Sequence, residues 1–125
     1  MGVKRFEDLE IFKKARVLSK EIYSLAAIGN FARDFGLKGQ IEKASVSVLS
    51  NIAEGFERKS NPDFVRFLYM AKGSCGEVRA QLMVALDQKY IDEKTYKEQS
   101  SKYEVLSAMI GKLIAYLCEN DMYKK

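Results

Sequence analysis

The sequence predicts an all-α protein, an antiparallel up-down-up-down four-helix bundle forming one domain over residues 1–125. Three observations carry this expectation. There is one proline in 125 residues, apolar residues recur at three- and four-residue spacing along most of the chain, and no convincing strand-like alternation interrupts them. Long helices with one apolar stripe each, joined by short loops, pack most simply as such a bundle.

A first helix is expected over residues 6–27, where Ile11, Ala15, Leu18, Ile22 and Leu25 share one stripe. NFARDFG, Asn30 to Gly36, then breaks the pattern with turn-type residues. A second helix over residues 37–58 carries Ile41, Ala44, Val48, Ile52 and Phe56 inward. Ser60–Asn61–Pro62–Asp63 is a restart signal with two legal registers. Either Ser60 caps, with Asp63 three residues on, or Asn61 caps, with Pro62 at the first helical position. The third helix, residues 61–90, has Phe64, Phe67, Ala71, Cys75, Val78, Leu82 and Ala85 as its stripe. Asp92 caps a fourth over residues 92–119, with Tyr96, Gln99, Tyr103, Leu106, Ile110, Leu113 and Leu117 inward. The closing ENDMYKK is expected to fray.

Some apolar surface is left over. Leu9, Phe12 and Tyr23 project away from the first stripe, and Val105, Met109 and Tyr116 widen the fourth to roughly 180°, against the roughly 100° of a surface helix. Apolar surface of this kind usually marks an interface, so self-association is expected.

Composition narrows the chemistry. With no histidine, the Cys–His and Ser–His nucleophilic arrangements, histidine metal sites and the commonest general base are all removed. Cys75 and Cys118 sit in helical patterns without metal-type spacing and are expected to be reduced core thiols; no metal or cofactor is expected. No apolar run approaches the roughly 20 residues that cross a bilayer, and MGVKRFEDLE lacks a signal-peptide core, so a cytoplasmic protein without membrane contact is expected. The net charge of +4 permits contact with RNA or DNA. The candidate residues for it are Lys13, Arg16 and Lys20, outward on the first helix, and Arg58, Lys59 and Arg66 around the second junction.

One stretch, SNIAEGFERKS from Ser50 to Ser60, sets Asn51, Glu54, Gly55 and Arg58 on one helical flank. Glu54 could serve as a general acid or base with Asn51 and Arg58 orienting a substrate. Alternatively the group is a polar clasp, with Gly55 admitting Phe64 and Phe67 of the next helix. No second carboxylate at catalytic spacing accompanies it, and neither GSCGE nor IGKL has the spacing of a phosphate loop. The structural, non-enzymatic reading is therefore preferred.

FEDLEIFKKA, GLKGQIEKASVSVLSNIAEGFERKS, DFVRFLYMAKGSCGEVRAQL and the tyrosine-bearing last helix also follow one another in a familiar order. Over residues 6–118 the chain resembles the four-helix-bundle family encoded by intervening sequences within bacterial 23S ribosomal RNA genes, also called the S23 ribosomal protein family. That family's pattern falls on Asn51, Ile52, Ala53, Glu54, Gly55, Arg58, Ser60, Phe64, Phe67, Leu68, Ala71, Gly73, Ser74 and Glu77. Leu49 stands where a proline is common, Phe12 where a tryptophan is frequent, and Val78–Arg79 where Leu–Glu is typical. The resemblance implies a ring-like homopentamer without enzymatic activity. It also implies kinship with the accessory protein of diversity-generating retroelements, which is thought to bind nucleic acid and a reverse transcriptase. Two partner classes follow: RNA or DNA held by the basic residues, or a protein for which the ring is a scaffold.

Overall fold

The stripes turn inward on four long helices in the computed structural model, which describes residues 2–121. A 3-10 turn, Phe6–Asp8, precedes α1 (Glu10–Ala26); a short α2 (Gly29–Arg33) leads into α3 (Phe35–Glu57), and α4 (Asn61–Asp87) and α5 (Glu93–Glu119) complete the chain. Among the described residues there is no strand. α1 packs on α3, α3 on α4, α4 on α5 and α5 on α1, which leaves α1 and α4 diagonally opposite. Ile22, Ile41, Ile52, Phe56, Phe64, Leu68, Leu82, Tyr103, Leu106 and Ile110 are fully buried between them. Burial of this apolar surface is the main favourable term in folding.

The boundaries differ from the expected ones for local reasons. The first helix does not begin at residue 6, because Leu9 is extended (ψ 131°) and separates the 3-10 turn from α1. That break folds the N-terminal turn back on the bundle. Leu9 and Phe12, expected among the leftover apolar residues, are buried by it, and Phe6 meets Phe12 edge to face at 4.9 Å. In the expected turn, α2 forms instead, entered through Gly29 at φ +58°, a conformation glycine adopts without strain. Its Phe31 is buried and stacks on Tyr90, ring centroids 5.5 Å apart. α3 starts two residues early because the Asp34 carboxylate accepts from the Leu37 N–H at 3.1 Å. It then runs without a break through Leu49. α4 ends at Asp87, where Lys89 at φ +61° turns the chain so that Ile91 enters the core.

Of the two legal starts for α4, Ser60 is the cap, accepting from the Asp63 N–H at 3.4 Å. Asn61 is thereby released for another task. Its amide donates to the carbonyls of Leu117 and Asn120, both at 2.7 Å, and ties the end of α5 to the start of α4. The fraying expected of ENDMYKK thus does not reach Asn120; residues 122–125 lie outside the described residues. Cys75 is buried, and burial pushes its thiol up to about 11 against the pull of Lys72 and Arg79, so it behaves as an apolar core group. Cys118, expected inside as well, is exposed, because Ile114 and Leu117 take the inward positions of the last turns.

A polar contact crosses each seam of the bundle. Ser19 and Ser45 hydroxyls meet at 2.9 Å between α1 and α3, and Ser47 and Ser74 at 2.9 Å between α3 and α4. The Lys72 ammonium donates to the Ser107 carbonyl and hydroxyl, both at 2.9 Å, between α4 and α5. Gln99 and Lys102 of α5 donate to Glu21 of α1 at 3.0 and 2.9 Å. At the α1–α3 end, the Tyr90 hydroxyl donates to Asp34 at 3.0 Å. That hydrogen bond, with burial and the carboxylate's charge adding to it, raises the phenol above its ordinary value. A phenol raised on folding contributes stability that is complete below its unfolded value and is lost as pH rises through the folded one. Above about pH 10 the wild-type melting temperature is therefore expected to fall more steeply than that of Tyr90→Phe; parallel curves in a thermal-melt series would contradict this.

Candidate nucleic-acid interface

The junction between α3 and α4 is built on Gly55. A methyl group added there would lie 2.7 Å from the Phe67 Cβ and 3.0 Å from a Phe64 ring carbon. Glycine is needed because the two helices touch at this point. Phe64 meets Phe56 edge to face at 5.8 Å, and both are buried with Gly55. Beyond the contact, Arg58 closes α3 and Lys59 takes φ +58°, turning the chain into the Ser60 cap.

This turn gathers three cations. The guanidinium carbons of Arg58 and Arg66 lie 5.0 and 4.6 Å from the centroid of the same Phe67 ring, and the Lys59 ammonium lies 5.1 Å from that of Phe56. The two guanidinium groups are thus within about 10 Å, one Debye length in 0.1 M salt, and feel each other's charge. Two carboxylates moderate that repulsion. Glu54 pairs with Arg58 at 3.0 Å and Asp63 with Arg66 at 3.6 Å, every partner being at least two-fifths exposed. Exposed pairs of this kind contribute about 0–1 kcal/mol, so a polyanion can displace them. Glu54 itself is 55% exposed, in an ion pair within its own helix.

Asn51 lies a turn away from this cluster. Its amide donates to the Ser47 carbonyl at 2.9 Å and hydroxyl at 3.0 Å, and so reaches α4 only through the Ser47–Ser74 contact. Glu77 is exposed on α4, and Gly73 stands on its outer face with open space where a side chain would be.

The other basic residues form a separate group. Lys13, Arg16 and Lys20 are exposed on α1 and, with Glu7, Phe12 and Val17, line a groove of ≈ 380 Å³. Lys13 pairs with Glu10 at 3.5 Å. Because α1 and α4 are diagonal, these residues and Arg66 belong to opposite corners of the bundle. The six candidates are two clusters, not one continuous patch. Among the described residues, no group of histidine, cysteine or carboxylate side chains could hold a metal ion, and no helix is long and apolar enough to cross a membrane.

Residues 7–112 match the model of the 23S rRNA-intervening sequence protein family. The chain belongs to that family. Among solved structures it is similar to a protein of unknown function from the S23 ribosomal protein family of Bacteroides thetaiotaomicron VPI-5482, with 20% identity and a TM-score of 0.75. The likeness covers 83% of this chain and 97% of the other, and establishes the bundle fold in this family member. Among curated proteins none is similar to it.

Sequence reasoning missed Asn61 as a tie to α5 and the Lys72–Ser107 contact. Neither has a local signal, since both partners lie more than thirty residues away. Gly55→Ala is expected to destabilise by about 1–3 kcal/mol, overpacking against the Phe67 Cβ exceeding a propensity gain of about 1 kcal/mol. Gly39→Ala, where an added methyl meets nothing within 4 Å, is expected to stabilise slightly. Urea unfolding followed by circular dichroism checks both, and equal effects would refute the close-contact account.

Proposed function

We propose that this family member is a non-enzymatic, self-associating bundle that binds nucleic acid through Arg58, Lys59 and Arg66. The observation that carries the reading is the convergence of Arg58 and Arg66 on one Phe67 ring, with Lys59 beside them over Phe56. Held by rings and by exposed carboxylates, these cations are ordered before a ligand arrives, which lowers the entropic cost of gripping successive phosphates. Three cations on one subunit give weak, sequence-independent contact. Repeated around an assembly such as a homopentamer, the same cluster gains affinity by multivalency.

A second reading, a scaffold for a protein partner, is favoured by a different observation. Large apolar residues stand exposed on α4, namely Tyr69, Met70, Met83 and Val84, and Phe35 is 82% exposed at the α2–α3 corner. Some of that surface is explained by self-association. The non-enzymatic reading is supported by the position of Glu54, which is exposed and held in an ion pair with Arg58 of its own helix.

Filter binding to structured RNA and to duplex DNA at two salt concentrations tests the proposal. The wild type is expected to bind both, with affinity falling steeply as salt rises. The Arg58→Gln/Lys59→Gln/Arg66→Gln variant is expected to lose about tenfold or more and to show a shallower salt dependence. Undetectable or salt-insensitive wild-type binding would overturn it.

A further inference from the structure

Self-association leaves open which surfaces meet, and the helix levels within one subunit bear on this. Ser19 of α1 is level with Ser45 of α3, and Ser47 of α3 is level with Ser74 of α4, through their hydroxyl contacts. α3 runs against both neighbours, so α1 and α4 run the same way and Val17 stands at the height of Ser74. Residue for residue, Arg16 is then level with Gly73, Lys20 with Glu77, Tyr23 with Ala80, and Ala27 with Val84.

The two outward faces complement each other at those levels. α1 presents bulk and positive charge: Arg16, Val17, Lys20 and Tyr23 are exposed, and the Arg16 and Lys20 side chains have no partner among the described residues. α4 presents a flat strip, Gly73, Gly76 and Ala80, where a Cβ added to either glycine would meet nothing within 4 Å. Tyr69, Met70, Met83 and Val84 border the strip as exposed apolar side chains. Glu77, on the same strip, has no ion-pair partner among the described residues. At the end of the bundle where α3 begins and α4 ends, joined by the Tyr90–Asp34 hydrogen bond, the exposed Arg33 and Asp87 offer a further cation and carboxylate. Two α1 faces would oppose Lys13, Arg16 and Lys20 to the same cations, whereas α1 on α4 sets Lys20 beside Glu77.

We propose that a second copy of this chain lays the outer face of its α1 along the outer face of α4, in parallel and level, with Tyr23 over Ala80 and Lys20 beside Glu77. The inference rests on the self-association reading and adds the pairing of surfaces to it. Because α1 and α4 are diagonal, the contact is head to tail and leaves both faces of each subunit in use. Such contacts close into a ring when the rotation between neighbours permits, and no translation along the axis arises because the paired levels coincide. The α1 cations then serve the subunit contact, and the Arg58, Lys59 and Arg66 cluster stays free at the end of the bundle.

The test is solution mass by light scattering across a range of protein concentration, with circular dichroism confirming the fold of each variant. Wild type is expected to be a multimer. Lys20→Glu and Ala80→Trp, both on exposed positions, are each expected to raise the concentration for half-assembly about tenfold or more. The Lys20→Glu/Glu77→Lys variant is expected to recover assembly. In a Cys118→Ser background, Tyr23→Cys chains mixed with Ala80→Cys chains are expected to form disulfide-linked pairs that neither forms alone. A wild-type monomer would overturn self-association itself. A multimer indifferent to these substitutions, or with no mixed disulfide, would overturn only the α1–α4 pairing.

Discussion

The closeness of α3 and α4 at Gly55 is the constraint on which the rest of the molecule depends. With 2.7 Å between an added methyl and the Phe67 Cβ, nothing larger than hydrogen fits, and the two helices are pinned at that point. The pin decides three things at once. It holds the buried Phe67 ring under the junction, where two guanidinium groups lie over it and cover it from solvent. It sets where α3 must stop, so that Lys59 makes the reversal and Ser60 the next cap. And it brings the upper parts of the helices to the spacing at which Ser47 and Ser74 exchange a hydrogen bond.

Apolar stripes alone do not choose a register, because a helix shifted by a turn presents a similar stripe to its neighbour. The polar contacts do choose. Each is worth only about 1 kcal/mol when made, yet a buried hydroxyl left unmatched costs about 1–3 kcal/mol, so a slipped seam is penalised at Ser19–Ser45 and again at Ser47–Ser74. The chain therefore separates two duties. Isoleucine, leucine and phenylalanine supply most of the stability, and serine, asparagine, glutamine and lysine supply the alignment. That alignment is also what brings Lys20 to the height of Glu77 on the far corner.

Most of the fold was legible because a helical stripe is a local, repeated signal. Val48, Ile52 and Phe56 announce α3, and Ser60 and Asp92 announce the helices after them through side chains that accept from N–H groups three residues on. What was not legible depends on distance along the chain. Leu9 and Phe12 look surplus on an isolated helix, and only the folding back of the N-terminal turn buries them. Phe31 reads as part of a turn, yet Tyr90, far away in sequence, gives its ring a partner and α2 a reason to form. The exposed strip of α4 is the converse case: Gly73 belongs to the family pattern, yet nothing local joins it with Tyr69, Gly76, Ala80 and Met83 into one outward row, because only the packed bundle leaves that face uncovered. Within the junction, residue types revealed which groups are close along the helix, Glu54 and Arg58, but not that Asn51 turns toward Ser47 instead.

The division of the cations follows from geometry rather than from their number. A bundle has sides and ends, and a side can be shared with a neighbour over many residues, whereas an end cannot. Arg16 and Lys20 lie on a side, beside Val17 and Tyr23, where a charge gains most from a matching carboxylate on another subunit and where apolar contact exists to hold it there. Arg58, Lys59 and Arg66 lie at an end, on rings rather than among exposed aliphatic residues, where a flexible polyanion can reach them from several directions. If neighbours meet along their sides, those ends point the same way. Clusters too weak singly then share one surface, and because neighbours meet at diagonal corners the spacing between clusters is set by the bundle's diagonal, about 24 Å for helices roughly 10 Å apart. That spacing spans about seven base pairs of duplex at roughly 3.4 Å each, so a nucleic-acid backbone can contact successive subunits.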